Sequence, residues 1–245
     1  MSSPSSAQLS GKWQLHAPVL IFVVSVWLTL VMNAPFWRHV WSAVGGWGND
    51  HLFFLASLPL LVCLFNFVVL SLLAWGKLPR VVLVIMLLMS SVASYFISSF
   101  GIMIDYSMLI NAMQTDRREV SDLLGPGLLF WVLLVGILPA IVISRTTLVR
   151  QTWTRASLIK VGSIVGALVL IGLILALAYQ SYASLLRNNR ELRLMLVPSN
   201  LVGAVHSYAK RQLRVPKTFE RVGLDAVRVS ETGQSGRSKV VVLVV

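Results

Sequence analysis

Long uncharged runs of apolar residues, separated by short polar or basic segments, dominate this chain. A helix crossing a bilayer core about 30 Å thick needs roughly 20 apolar residues. Five runs fit that requirement: Ala17 to Met32, Leu52 to Trp75, Val81 to about Phe100, Gly127 to Ser144 and Val161 to Tyr179. Each is too long and too evenly apolar to be a strand. The first is followed by further runs and not by a small-residue cleavage site, so it reads as an uncleaved span and not as a removed signal peptide. The pattern predicts an all-α membrane protein with five transmembrane helices.

Composition agrees with the pattern. Of 245 residues, 56% are hydrophobic and 12% are charged, whereas soluble domains run nearer 45–50% apolar and about 25% charged. A soluble globule and a disordered chain are both excluded. The net charge of +12 is read as topology, and no nucleic-acid partner is expected. Lys12, Lys77, Arg80, Arg145, Arg150, Arg155 and Lys160 fall on one side of the five-span path, with Arg38, Arg117 and Arg118 on the other. The positive-inside rule therefore puts the N-terminus in the cytoplasm and everything after Tyr179 outside. In a Gram-negative bacterium that is a multi-pass inner-membrane protein with a periplasmic C-terminus. The exported segment is itself basic, which suits contact with anionic headgroups of inner-membrane lipids. Cys63, the single cysteine, permits no intramolecular disulfide and reads as a small packing residue. His16, His39, His51 and His206 have no ligand spacing, so no metal site is expected on this chain.

The segment from Gly101 to Leu124 carries six charged residues and has no strong breaker before Gly125. Met108, Leu109, Ala112 and Met113 recur at helical spacing, which predicts a polar helix over 103–124 lying on the external membrane surface, with Asp105 as a candidate N-cap. On a continuous helix Asn111, Thr115 and Glu119, at i, i+4 and i+8, share one face. An amide, a hydroxyl and a carboxylate in line could hold an ammonium-bearing headgroup, or could simply be the solvated face of an interfacial helix. The domain plan is a cytoplasmic N-terminus (1–16), a five-helix membrane domain (17–180), a periplasmic linker (181–238) and a final aliphatic strand (239–245). Within the linker, Pro198-Ser199-Asn200 supplies a break and a cap. Leu201 to Leu213 then reads as an amphipathic helix, either a hinge on the membrane or a surface packed on another domain. Trp37, Trp41 and Trp47 at span ends read as interfacial anchors.

Three patches carry more than a pattern. Ser94-Tyr95-Phe96, Gly101, Asp105, Met108 and Asn111-Ala-Met-Gln-Thr-Asp116 with Glu119 form the first. Tyr182-Ala-Ser-Leu-Leu-Arg-Asn-Asn-Arg-Glu-Leu192 with Pro198-Ser-Asn200 is the second, and Lys239-Val-Val-Val-Leu-Val-Val245 the third. Together they resemble the lipid A phosphoethanolamine transferases, the family that includes mobile colistin-resistance enzymes. The resemblance implies an enzyme that takes phosphoethanolamine from phosphatidylethanolamine onto a threonine and passes it to lipid A, giving resistance to polymyxins. It also implies that Asn111, Thr115 and Glu119 bind the headgroup. The last strand would be the first of an alkaline-phosphatase-like α/β domain absent from this chain. Zinc and the nucleophilic threonine would belong to that domain, beyond Val245, so no catalytic residue and no zinc ligand is expected here. The fragment alone is expected to be an inactive monomer. A sibling transferase acting on a glucan or core sugar, and a non-catalytic anchor or scaffold, are the other readings. A transporter is disfavoured by the lack of ionisable side chains within the spans.

Overall fold

The computed structural model describes residues 14–44, 52–75, 79–115, 124–149 and 151–213. After a two-residue strand β1 (Gln14–Leu15) come α1 (Ala17–Met32), α2 (Ala34–Val44), α3 (Leu52–Leu73), α4 (Pro79–Phe100) and α5 (Tyr106–Gln114). Then follow α6 (Pro126–Arg145), β2 (Thr147–Leu148), α7 (Trp153–Leu177), α8 (Tyr179–Asn188), α9 (Leu192–Met195) and α10 (Ser199–Gln212). Among the described residues α3, α4, α6 and α7 are each long and apolar enough to cross a bilayer. A fifth crossing comes from α1 with α2, a pair bent by 60°. The predicted all-α membrane architecture is what the chain adopts. The predicted final strand, 239–245, lies outside the described residues.

The core forms where α1, α3 and α4 meet, around Ile21, Leu28, Leu70, Leu83 and Leu87, all fully buried. α7 lies at the rim against α3 and exposes Leu168, Val169, Leu173 and Leu177. Such an apolar exterior belongs to a surface whose solvent is hydrocarbon. α4 and α6 approach closely at Gly136, where an added Cβ would come within 2.9 Å of Ser91 Cβ.

The first crossing departs from a straight span. α1 passes into a π-helical turn over Leu28–Met32 and the chain bends at Asn33. A π turn carries an extra residue and leaves backbone carbonyls without their helical partners. Side chains supply the missing donors. Trp37 Nε1 donates to Thr29 O at 2.6 Å, Ser94 Oγ to Met32 O at 2.6 Å, and Asn33 Nδ2 to Leu28 O at 2.9 Å. A second π segment, Val132–Ile137 in α6, receives Trp27 Nε1 at Val135 O, 3.1 Å. Trp37 therefore turns its indole N–H inward, and the anchor reading does not describe it. In a bilayer these donors matter because no water is present to replace them.

Three further elements differ from the sequence expectation. α2 occupies what reads as an external loop, because its Phe36 and Val40 are buried in the bundle. α8 occupies what reads as a basic linker, because Tyr182 and Leu185 are buried. Within the expected 103–124 the described helix is α5, nine residues starting at Tyr106, and 116–123 lie outside the described residues. Asp105 accepts from Met108 N at 2.9 Å to start it, and Thr115 is already extended, with φ −65° and ψ 130°.

The two ends of the bundle have different character. At one, β1 pairs in parallel with β2, and Lys160 Nζ donates to Ala74 O at 2.6 Å while lying 5.0 Å from the Trp75 ring centre. Arg80 and Arg145 lie at this end too, so basic residues on the same side of the predicted path do gather together. At the other end stand α2, α5 and α8–α10.

Candidate functional site

The site begins at Gly101, whose φ of 65° ends α4 in the left-handed region open to glycine. Four residues later the Asp105 cap starts α5. The last turn of α5 carries Asn111, whose side chain is exposed, and hands over to Thr115, which is half-buried. Thr115 Oγ1 donates to Asn111 O at 2.7 Å, closing the helix end on itself. Asn111 and Thr115 are thus brought together, though by a helix terminus and not by a continuous helical face. Glu119 lies outside the described residues. Neither Asn111 nor Thr115 lines the cavities that open on the bundle.

α5 packs on α10, with Tyr106 and Tyr208 ring centres 6.4 Å apart and the Arg211 guanidinium 3.9 Å above the Tyr106 ring. The stacked guanidinium keeps its in-plane N–H groups for an acceptor. Sequence reading missed Tyr106 and Arg211 as partners. The only signal was Lys210-Arg211 in the last turn of a basic helix.

What holds α10 there is a series of polar latches between the linker and the bundle. Tyr182 OH and Ser57 Oγ are 2.8 Å apart, and the Tyr182 ring meets Phe54 edge-on at 4.8 Å. Burial pushes the Tyr182 phenol above its ordinary pKa, and the Ser57 hydrogen bond partly opposes that. His39 Nε2 and Glu191 Oε1 lie 2.9 Å apart. Hydrogen bonds from its own backbone N–H and from His39 hold the Glu191 carboxyl below its usual range. Asn33 pairs with Val197 as one peptide unit pairs with another. Its Nδ2 donates to Val197 O and its Oδ1 accepts from Val197 N, both at 2.9 Å. Asn200, expected as a cap, instead donates from within α10 to Leu194 O at 3.0 Å. The linker through residue 212 is therefore fastened to the bundle, and the hinge reading does not describe this stretch.

At the α5 end a primary amide and a hydroxyl whose proton is already committed offer acceptor lone pairs to a cationic donor. No group of three or more His, Cys, Asp or Glu gathers among the described residues. The residues present do not form a zinc site, and no step through a metal is derived from them.

Comparison with known proteins accords with this layout. The family model described as phosphoethanolamine transferase EptA/EptB matches residues 61–213. Phosphoethanolamine transferase EptA of Salmonella typhimurium is 28% identical over 94% of this chain and 43% of its own length. Phosphatidylethanolamine transferase Mcr-1 of Escherichia coli is 28% identical over 87% of this chain and 40% of its length. Among solved structures, the integral membrane lipooligosaccharide phosphoethanolamine transferase A of Neisseria meningitidis superposes with a TM-score of 0.77. It is 29% identical, over 81% of this chain and 37% of that one. The chain thus spans about two fifths of the length of the curated relatives it matches. With a family model covering more than half its residues, the chain belongs to the EptA/EptB phosphoethanolamine transferase family.

Proposed function

We propose that this chain is the membrane domain of an enzyme that moves phosphoethanolamine from phosphatidylethanolamine to lipid A at the periplasmic face of the inner membrane. The observation that carries the reading is the closed end of α5, held against α10 by a linker latched at three points. A rigid polar turn at the end of a membrane bundle is where a lipid headgroup can be met without unfolding anything. The Asn111 carboxamide oxygen accepts from the ammonium. The Thr115 hydroxyl, having donated to Asn111 O, presents its lone pairs to the same group. Glu119 supplies the matching charge. We read Thr115 as a substrate contact and not as the nucleophile, because its hydroxyl proton is already given to Asn111 O. The nucleophile and zinc belong to a further domain of the complete enzyme. Adding an ammonium beside the lipid A phosphates weakens the attraction of cationic peptides such as polymyxin.

The test is expression of the complete reading frame containing this chain in cells without their own transferases, followed by mass spectrometry of lipid A. A phosphoethanolamine adduct on lipid A is the expected result. An adduct on a periplasmic glucan alone would replace the acceptor, and no adduct anywhere would leave only an anchor or scaffold.

A further inference from the structure

Two cavities open along the seam between α1 and α6. One, of about 600 Å³, is apolar, with Val23, Trp27, Leu134 and Leu138 among its walls. The other, of about 950 Å³, lies at the basic end and is lined by Arg80, Ser144, Arg145 and Thr146 among others. Val23, Val142 and Ile143 line both. The two therefore adjoin at these residues, one apolar along the bundle and the other dibasic at its end, and together they are called the groove.

Among the described residues the charge at that end meets no carboxylate. Arg80 Nε is shielded from solvent and has no hydrogen-bond partner among the described residues. A charged donor left in that condition is costly, so such groups normally meet an acceptor. No Asp or Glu lines the cavity among the described residues. The neighbouring hydroxyls have already given their protons, Ser144 Oγ to Ile141 O and Thr146 Oγ1 to Ile143 O, at 2.8 and 2.7 Å, so neither is free to donate to an anion. The two guanidiniums are left as donors, and a phosphodiester is the acceptor whose geometry they match.

We propose that this groove binds one anionic phospholipid, its phosphodiester between Arg80 and Arg145 and an acyl chain along Val23, Val142 and Leu138. A zwitterionic lipid fits less well, because its ammonium would enter a dibasic cavity with no carboxylate to receive it. The proposal goes beyond the transferase reading. It depends on that reading only for the leaflet, which the positive-inside count makes the cytoplasmic one.

The test is native mass spectrometry of the complete protein titrated with phosphatidylglycerol or phosphatidylethanolamine of the same acyl chains. One phosphatidylglycerol should be retained per chain in preference to phosphatidylethanolamine. The double variant Arg80→Gln, Arg145→Gln should lower that retention by roughly tenfold. Val142→Trp, which fills the shared wall, should lower retention without altering charge. Arg155→Gln, at the same end but outside the groove, should leave it unchanged, with circular dichroism confirming the fold of each variant. Equal retention of both lipids, retention indifferent to the double variant, or an equal loss in Arg155→Gln would overturn the proposal. Because none of these readouts uses transfer activity, failure here and failure of the transferase reading are separate results.

Discussion

The Asn33 carboxamide makes three hydrogen bonds at once, to Leu28 O, Val197 O and Val197 N, where the first crossing bends. Replacing it with leucine would orphan the N–H and C=O of Val197, which is fully buried. Asn33→Leu should therefore cost about 2–6 kcal/mol, at 1–3 for each of the two orphaned groups. A lower melting temperature in detergent, with new protease cleavage in the 189–198 segment, would report it; unchanged values would argue against the latch. Glu191 gives a second residue-scale expectation. Its pKa is depressed in the folded chain, so its stabilising contribution is complete above the ordinary carboxylate value of about 4.3. That contribution disappears as pH falls through the lower folded value. Glu191→Gln should flatten the acid limb of a melting-temperature profile and leave the shape near neutrality unaffected by this group. Asp105 was legible as a cap because Asp before a helical run announces itself. Asn33 was not, since its partner lies 164 residues away.

At the scale of elements, the spans were legible because burial in hydrocarbon is written into composition, residue by residue. The bends were not, because a π turn survives only where tertiary donors meet its carbonyls, as Trp37, Ser94 and Trp27 do here. The same reasoning explains the shortened α5. Nothing in the sequence of 103–124 forbids a long helix, yet Thr115 closes the end by bonding Asn111 O. Close packing of α4 on α6 makes Gly136 the most sensitive point of that contact. Gly136→Val should destabilise by about 1–3 kcal/mol through overpacking, whereas Gly166→Ala, in open space on α7, should be neutral or slightly stabilising. Thermal unfolding of both variants in detergent compares them directly. Lys160, legible as a mark of sidedness, proves also to cap the last turn of α3 through Ala74 O. Lys160→Met should lose about 1.5–3 kcal/mol of that junction, the scale of a hydrogen bond to a charged group.

On the scale of the whole molecule, the linker carries the connection between bundle and site. α8, α9 and α10 read as a basic, loosely organised stretch because their buried residues, Tyr182, Leu185, Leu192 and Val197, are spaced by contacts with α2 and α3 and not by one helical period. Once fastened, they set α10 beside α5, where Arg211 and Tyr208 meet Tyr106 at the start of the helix that ends in Asn111 and Thr115. Asn111 and Thr115 were singled out from sequence, but the arm that holds their helix was not. The central claim is that this turn presents the donor headgroup to the rest of the enzyme. It is tested most directly by measuring phosphoethanolamine transfer from phosphatidylethanolamine in the complete enzyme carrying Asn111→Ala with Thr115→Ala. Each lost hydrogen bond to a charged group contributes about 1.5–3 kcal/mol. Transfer should therefore fall by at least about tenfold, mainly through a raised KM for the donor, with membrane abundance and melting temperature unchanged. Wild-type transfer in that variant would contradict the account.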